Sequence, residues 1–153
     1  MLAPNFWERV EAIAGPHSVD LMALDSNSQC LRHYTPHPTP LSIGVNFFAH
    51  NPRHDEQGRE ENGYLFPPIY LIGSAIQHLL SSKAKATILV PDIIPRPYWW
   101  HVLCRCANER HLLGKKGNHE VLLRPSKQHG FHQPRQLPLP WDLWLFRIRG
   151  DYQ

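Results

Sequence analysis

Asp20 lies within one apolar run, Val19-Asp20-Leu21-Met22-Ala23, and a proline pair interrupts a second, Tyr64-Leu65-Phe66-Pro67-Pro68-Ile69-Tyr70-Leu71-Ile72. A carboxylate in such a run caps a helix or a turn. A proline pair cannot donate ladder hydrogen bonds, so the strand ends at Pro67 and a stiff loop follows. Arg96 precedes Tyr98, Trp99 and Trp100, a cation beside rings that could stack on exposed bases or dock a helix against a sheet. Gly114-Lys115-Lys116-Gly117 lacks the spacing and the Ser or Thr of a P-loop and reads as a basic turn. His101, Cys104, Cys106 and His111 are zinc-ligand residue types. Their spacing fits no common template, and on a helix Cys104 and Cys106 stand about 200° apart, so packed thiols are expected and no metal. The chain has no Gly-x-Ser-x-Gly elbow, which leaves serine-hydrolase or Cys-His chemistry without support.

The elements that must carry these residues follow from hydrophobic spacing. Tyr64 to Phe66 reads as a strand; Ile69, Ile72, Ala75, Ile76, Leu79 and Leu80 recur at helical intervals; Ala86 to Val90 is a short run suited to a strand covered on both faces. Strand, proline loop, helix and strand make a βαβ unit of a parallel sheet, with the loop at the carboxyl edge where such folds place sites. Phe6, Trp7, Val10 and Ile13 predict a short helix stopped by Gly15-Pro16, and Val19 to Ala23 a strand. Cys30 to Tyr34 and Gly44 to Ala49 are further strand candidates, separated by an extended loop from Tyr34 to Pro40 with three prolines. Asn51 to Asn62 is expected as an exposed loop, Val102 to Ala107 as a helix and Leu112 to Asn118 as a break. Val121 to Leu123 reads as a brief strand, Ser126 to Pro140 as a long loop, and Trp141 to Ile148 as an interior strand before a fraying terminus. The class is α/β with about five to seven strands.

At 153 residues, one domain is expected, with its core over about residues 6–149. Hydrophobic residues make up 42%, and no apolar run reaches the roughly 18 residues of a membrane span. Met1 to Glu8 lacks the basic and apolar regions of a signal peptide, and three cysteines are too few for a disulfide framework, so an intracellular setting, nuclear or cytoplasmic, is expected. The net charge is +3, with the basic residues biased to the second half, a pattern of a solvated surface or of a phosphate-facing side. Proline, 15 of 153 residues, exceeds the usual ~5% but lies between the apolar runs, as stiff loops on a folded core would have it.

Val19-Asp20-Leu21-Met22-Ala23, Asn27-Ser28-Gln29-Cys30, Tyr34-Thr35, Pro67-Pro68, Leu89-Val90-Pro91 and Trp99-Trp100 stand in the order seen in phage-type Dam DNA adenine-N6 methyltransferases, which the chain resembles from about Phe6 to Leu103. A closer resemblance is to the domain that follows reverse transcriptase and RNase H in polyproteins of DIRS-like tyrosine-recombinase retrotransposons. It rests on Val-Asp-Leu-Met-Ala, the Phe-Pro-Pro block, the Val-Pro-Asp to Pro-Tyr-Trp-Trp block and the terminal Trp-Asp-Leu-Trp. The resemblance implies a single methyltransferase-like, Rossmann-like domain with a mostly parallel sheet and flanking helices. It also implies that Asp20, Ala23 and Asn46 would face a cofactor, S-adenosylmethionine if any.

Active members of that family hold the adenine amine with an Asn or Asp oxygen and a proline-loop carbonyl, and stack the base on a ring. The matching residues here are Phe66, Pro67, Pro68 and Ile69: Phe66 offers no acceptor and Ile69 no ring. The expectation is therefore a degenerate, non-catalytic scaffold or nucleic-acid-associated domain with no bound cofactor. Arg96, Trp99, Lys115 and Lys116 are expected to touch DNA or RNA. Alternatives are a methyltransferase with an altered loop and a scaffold for polyprotein or host protein partners; no membrane is expected.

Overall fold

The computed structural model describes residues 1–125 and 132–150. Helix α1 (Pro4–Ala14) is followed by the short strands β1 (Val19–Asp20), β2 (Tyr34–Thr35) and β3 (Gly44–Val45). Then come β4 (Asn62–Leu65), helix α2 (Ile72–Ser82), β5 (Lys85–Pro91), helix α3 (Tyr98–Cys106) and β6 (Glu109–Gly114). A hairpin of β7 (Leu122–Pro125) and β8 (His132–Leu137) precedes β9 (Leu143–Ile148). Single 3-10 turns occupy Phe47–Ala49 and Ile69–Leu71, the second running directly into α2.

Five strands form the main sheet in the order β1-β4-β5-β9-β6. β1, β4 and β5 pair in parallel, β9 runs against both of its neighbours, and β6 therefore points the same way as β5. The result is a mixed α/β fold with a mostly parallel sheet. The βαβ unit expected from the proline loop is β4-α2-β5, and β9 lies between β5 and β6 as its two apolar faces require.

Strand alternation sorts the core into two layers. Ala86, Ile88 and Val90 of β5 and Phe146 and Ile148 of β9 pack against Ile72, Ala75, Ile76 and Leu79 of α2 and Trp99, Trp100 and Leu103 of α3. The opposite face, with Leu89, Leu143, Leu145 and Tyr64, packs against Val10 of α1 and against Val121 and Leu139 around the hairpin. α1 starts on Pro4, whose fixed φ suits a first helical position, and ends where Gly15 N–H returns to the Glu11 carbonyl. Arg9 of α1 donates to the carbonyls of Leu112 and Leu113 at 3.2 and 3.1 Å, which blunts the outer edge of β6.

Polar residues tie the amino edge of the sheet together. His17 bridges Glu11 and Thr87 at 2.8 Å each, and Arg147 donates to Thr87 Oγ1 at 3.1 Å and to Asn62 Oδ1 at 2.6 Å. Asn62 then donates to the carbonyls of Ala14 and Pro16. Burial lowers the His17 pKa despite Glu11 beside it, so the neutral ring donates from Nδ1 to Glu11 and accepts the Thr87 hydroxyl proton at Nε2.

Several local expectations are corrected. The strand at Val19 stops at Asp20, because the chain bends to lay Leu21 over Gly63, where an added Cβ would come 2.6 Å from Leu21 Cδ1. The Cys30–Tyr34 strand is displaced to Tyr34–Thr35, inside the segment expected as loop. The run Gly44–Ala49 is a strand only to Val45, since Asn46 takes a left-handed φ of 63° and caps the 3-10 turn. α3 starts at Tyr98, four residues earlier than expected. β6 takes in Leu112 to Gly114, where a break was expected, and β8 crosses the expected Ser126–Pro140 loop. Residues 126–131 and the terminal 151–153 lie outside the described residues.

Candidate functional site

A cavity of about 630 Å³ opens at the carboxyl ends of β1 and β4, within the range of about 300–1,000 Å³ usual for small-molecule sites. Its walls come from the bend Leu21–Leu24, the β2 segment with Tyr34 and Thr35, the turn Asn46–Phe48, and the proline loop Phe66–Pro68 with Tyr70. Sequence-predicted Asp20, Ala23, Asn46, Phe66, Pro67 and Pro68 all line this one cavity, whereas Ile69 does not. Chain segments distant in sequence meet there because parallel strands deliver their following loops to a common edge.

Asp20 forms the floor. It is 2% exposed, and its Oδ1 accepts from Met22 N–H at 3.3 Å while Oδ2 accepts from Gln29 N–H at 3.0 Å. Burial pushes its carboxyl up to about 7, against the pull of those two N–H groups and of nearby His33. The turn-capping role expected of a carboxylate here is therefore satisfied by the chain itself. Behind Asp20, buried His33 reaches the Leu31 carbonyl from Nδ1 at 2.9 Å and Asp25 Oδ1 from Nε2 at 2.6 Å. Burial pulls His33 down, but the bonds to Asp25 and Leu31 and the charges of Asp25 and Asp20 outweigh it, so its pKa is raised. Thr39 adds a second bond to Asp25, and this clamp fixes the loop between β1 and β2.

The other wall residues are mostly apolar or aromatic. Ala23 is buried and donates its N–H to the Tyr34 carbonyl, which keeps the bend close to β2. Asn46 is exposed, with its carboxamide oxygen accepting from Phe48 N–H. Phe66 is half-buried, Pro67 buried and Pro68 exposed. Tyr64 lies in the core, with its ring edge-on to Trp7 at 4.7 Å, and burial raises its pKa well above the usual value. The loop thus places a ring and backbone carbonyls at the cavity, and no side-chain hydrogen-bond acceptor from Phe66 to Ile69.

Sequence reasoning missed Tyr34, Thr35, Phe47 and Phe48 as cavity walls. Their signal was weak, since they sit on two-residue strands and a single 3-10 turn. Asn27 and Gln29 also line the cavity; they belong to the Asn27-Ser28-Gln29-Cys30 block, for which the sequence predicts no site role.

The basic candidates gather at the same edge by topology. Arg96 follows β5, and Lys115 and Lys116 follow β6, whose end pairs with Leu143 as Pro91 of β5 does. Arg96 is held by both carboxylate oxygens of Asp92 at 3.2 Å and lies 4.7 Å over the Trp100 ring. Trp99 departs from its expected surface role: at 5% exposed it packs into the core, because the α3 stripe that faces α2 and the sheet includes it. The exposed ring of this segment is Tyr98.

Cys30 is half-buried and pushed up to about 12 by burial and by the carboxylates of Asp20 and Glu11, which leaves it a thiol and a poor nucleophile. Among the described residues, no group of three or more His, Cys, Asp or Glu side chains is placed to hold a metal ion, and no helix is long and apolar enough to cross a membrane. Comparison of the chain with protein-family models finds no match, and comparison with curated proteins finds none either.

Proposed function

We propose that this protein is a non-catalytic, methyltransferase-like accessory domain of retroelement ancestry that associates with nucleic acid at the carboxyl edge of its sheet. One observation carries the first part. Phe66 lines the cavity, and the resemblance gives its position to the carboxamide or carboxylate that methyl transfer to an adenine amine needs. Removing one preorganised side-chain partner of this kind costs about 10²- to 10³-fold in rate. The Asp20 carboxyl also supports the reading, because Met22 and Gln29 already engage both of its oxygens. Nucleic-acid association rests on Arg96, Lys115 and Lys116 lying at the edge where the cavity opens. In electrophoretic mobility shifts, the chain should retard DNA or RNA at low salt and release it as salt rises, because phosphate contacts release counterions. No retardation of any single- or double-stranded DNA or RNA at low salt would remove this part.

A second reading, a methyl-donor-dependent DNA adenine-N6 methyltransferase with an altered loop, is favoured by the cavity itself. Its volume admits a nucleoside-sized group, and Ala23 keeps one wall small. If S-adenosylmethionine binds, it would supply the electrophilic methyl group, and Asp20, Ala23 and Asn46 would face it. Methyl transfer to adenine by the purified chain would favour this second reading over the first.

A further inference from the structure

Three of the most exposed large apolar side chains lie in the two segments that leave β4 and β5 at the carboxyl edge: Tyr70 at 83%, Ile94 at 75% and Tyr98 at 70%. Tyr98 packs onto the helix that begins just after Tyr70. An added Cβ on Gly73 would lie 2.9 Å from Tyr98 Cζ, so the Tyr98 ring rests across the first turn of α2, three residues beyond Tyr70. Both rings remain at the surface although the same segments bury Trp99, Trp100 and Ile72 fully in the core. Exposed aromatic area that a fold could have buried marks an interaction surface more often than scattered apolar residues do.

At the carboxyl edge stand the cations Arg96, Lys115 and Lys116 and the acids Asp92 and Asp142. Asp92 is engaged by Arg96, and Asp142 Oδ1 accepts from Lys116 N–H at 2.8 Å, while the side chains of Lys115 and Lys116 are exposed. A polyanion is the complementary partner. A duplex buries the faces of its bases in the stack and gives a tyrosine ring nothing to lie against, whereas a single strand offers a π-face at every base.

We infer that Tyr70 and Tyr98 form a stacking platform for single-stranded nucleic acid, with its phosphates passing Arg96 toward Lys115 and Lys116. The inference rests on the nucleic-acid association proposed above and adds the strand state and the rings that read it. Fluorescence anisotropy with labelled single-stranded DNA, single-stranded RNA and duplex DNA tests it on the full chain. Tyr70→Ala and Tyr98→Ala should each weaken single-strand binding by about 5- to 150-fold, the range for loss of one base stack, while Tyr→Phe at either position retains it. Lys115→Glu with Lys116→Glu should weaken every form and flatten the salt dependence. The single-stranded DNA and RNA arms show whether the 2′-hydroxyl matters. Because both rings are exposed, the alanine variants should melt close to wild type, and circular dichroism checks that they do. If the double alanine variant binds single strands within about twofold of wild type, or wild type binds duplex as tightly, the platform is refuted and general nucleic-acid association stands. Absence of binding to every probe overturns both.

Discussion

The protonation of Asp20 is the residue-scale feature with the clearest consequence. Its folded pKa of about 7 lies above the unfolded 3.8, so the folded state holds the proton more tightly. Stability from this group is complete below pH ~4, falls as pH rises, and flattens above about 7. His33, with its raised pKa, acts in the same direction, since its imidazolium is favoured in the fold and its contribution is lost above its own folded pKa. Denaturant unfolding from pH 5 to 8 should therefore show wild type losing stability as pH rises, with a shallower slope in Asp20→Asn. That variant removes the Asp20 titration and leaves His33. An unchanged pH slope in Asp20→Asn would place the titrating group elsewhere. Asp20 was legible in the sequence as a lone carboxylate in an apolar run, but its bonds to Met22 and Gln29 depend on how the chain bends after it, which spacing does not encode.

At the scale of elements, the network on Thr87 locks β5, β9 and α1 at the amino edge, away from the candidate site. Thr87 is fully buried and serves both Arg147 and His17. Thr87→Val should cost about 1–3 kcal/mol for each buried partner left unsatisfied, read as a lower midpoint in urea, while Thr87→Ser retains most of the stability. A valine variant as stable as wild type would show that the network contributes nothing net. α2, β5 and β9 were legible because their apolar spacing and burial on both sides leave one reading. β6 was not: as an edge strand it needs one covered face only, and Arg110, His111 and the basic turn after it hide the two leucines. β8 contains Pro134, which argues against a central strand but is tolerated at an edge or bulge. The register shifts there, with Arg124 opposite Gln133 and Leu123 opposite Gln136.

For the whole molecule, the division of labour is between two ends of one sheet. The amino edge is cross-linked by buried polar groups, and the carboxyl edge gathers the cavity, the proline loop and the cations. The βαβ unit alone pointed to the edge where the cavity opens, and the residues Asp20, Ala23, Asn46 and Phe66 to Pro68 line it. The shape of the cavity was illegible, because its remaining walls ride on short strands and turns held by tertiary contacts. Trp99 shows the same limit from the other side, since an aromatic run cannot reveal which of its rings faces inward. The central claim, proposed from the resemblance, is that the chain performs no methyl transfer, with Phe66 in place of an acceptor. Incubation of the purified chain with radiolabelled S-adenosylmethionine and adenine-containing DNA tests it most directly. No label should enter the DNA above background; label on adenine that disappears in the Asp20→Ala variant would contradict the account.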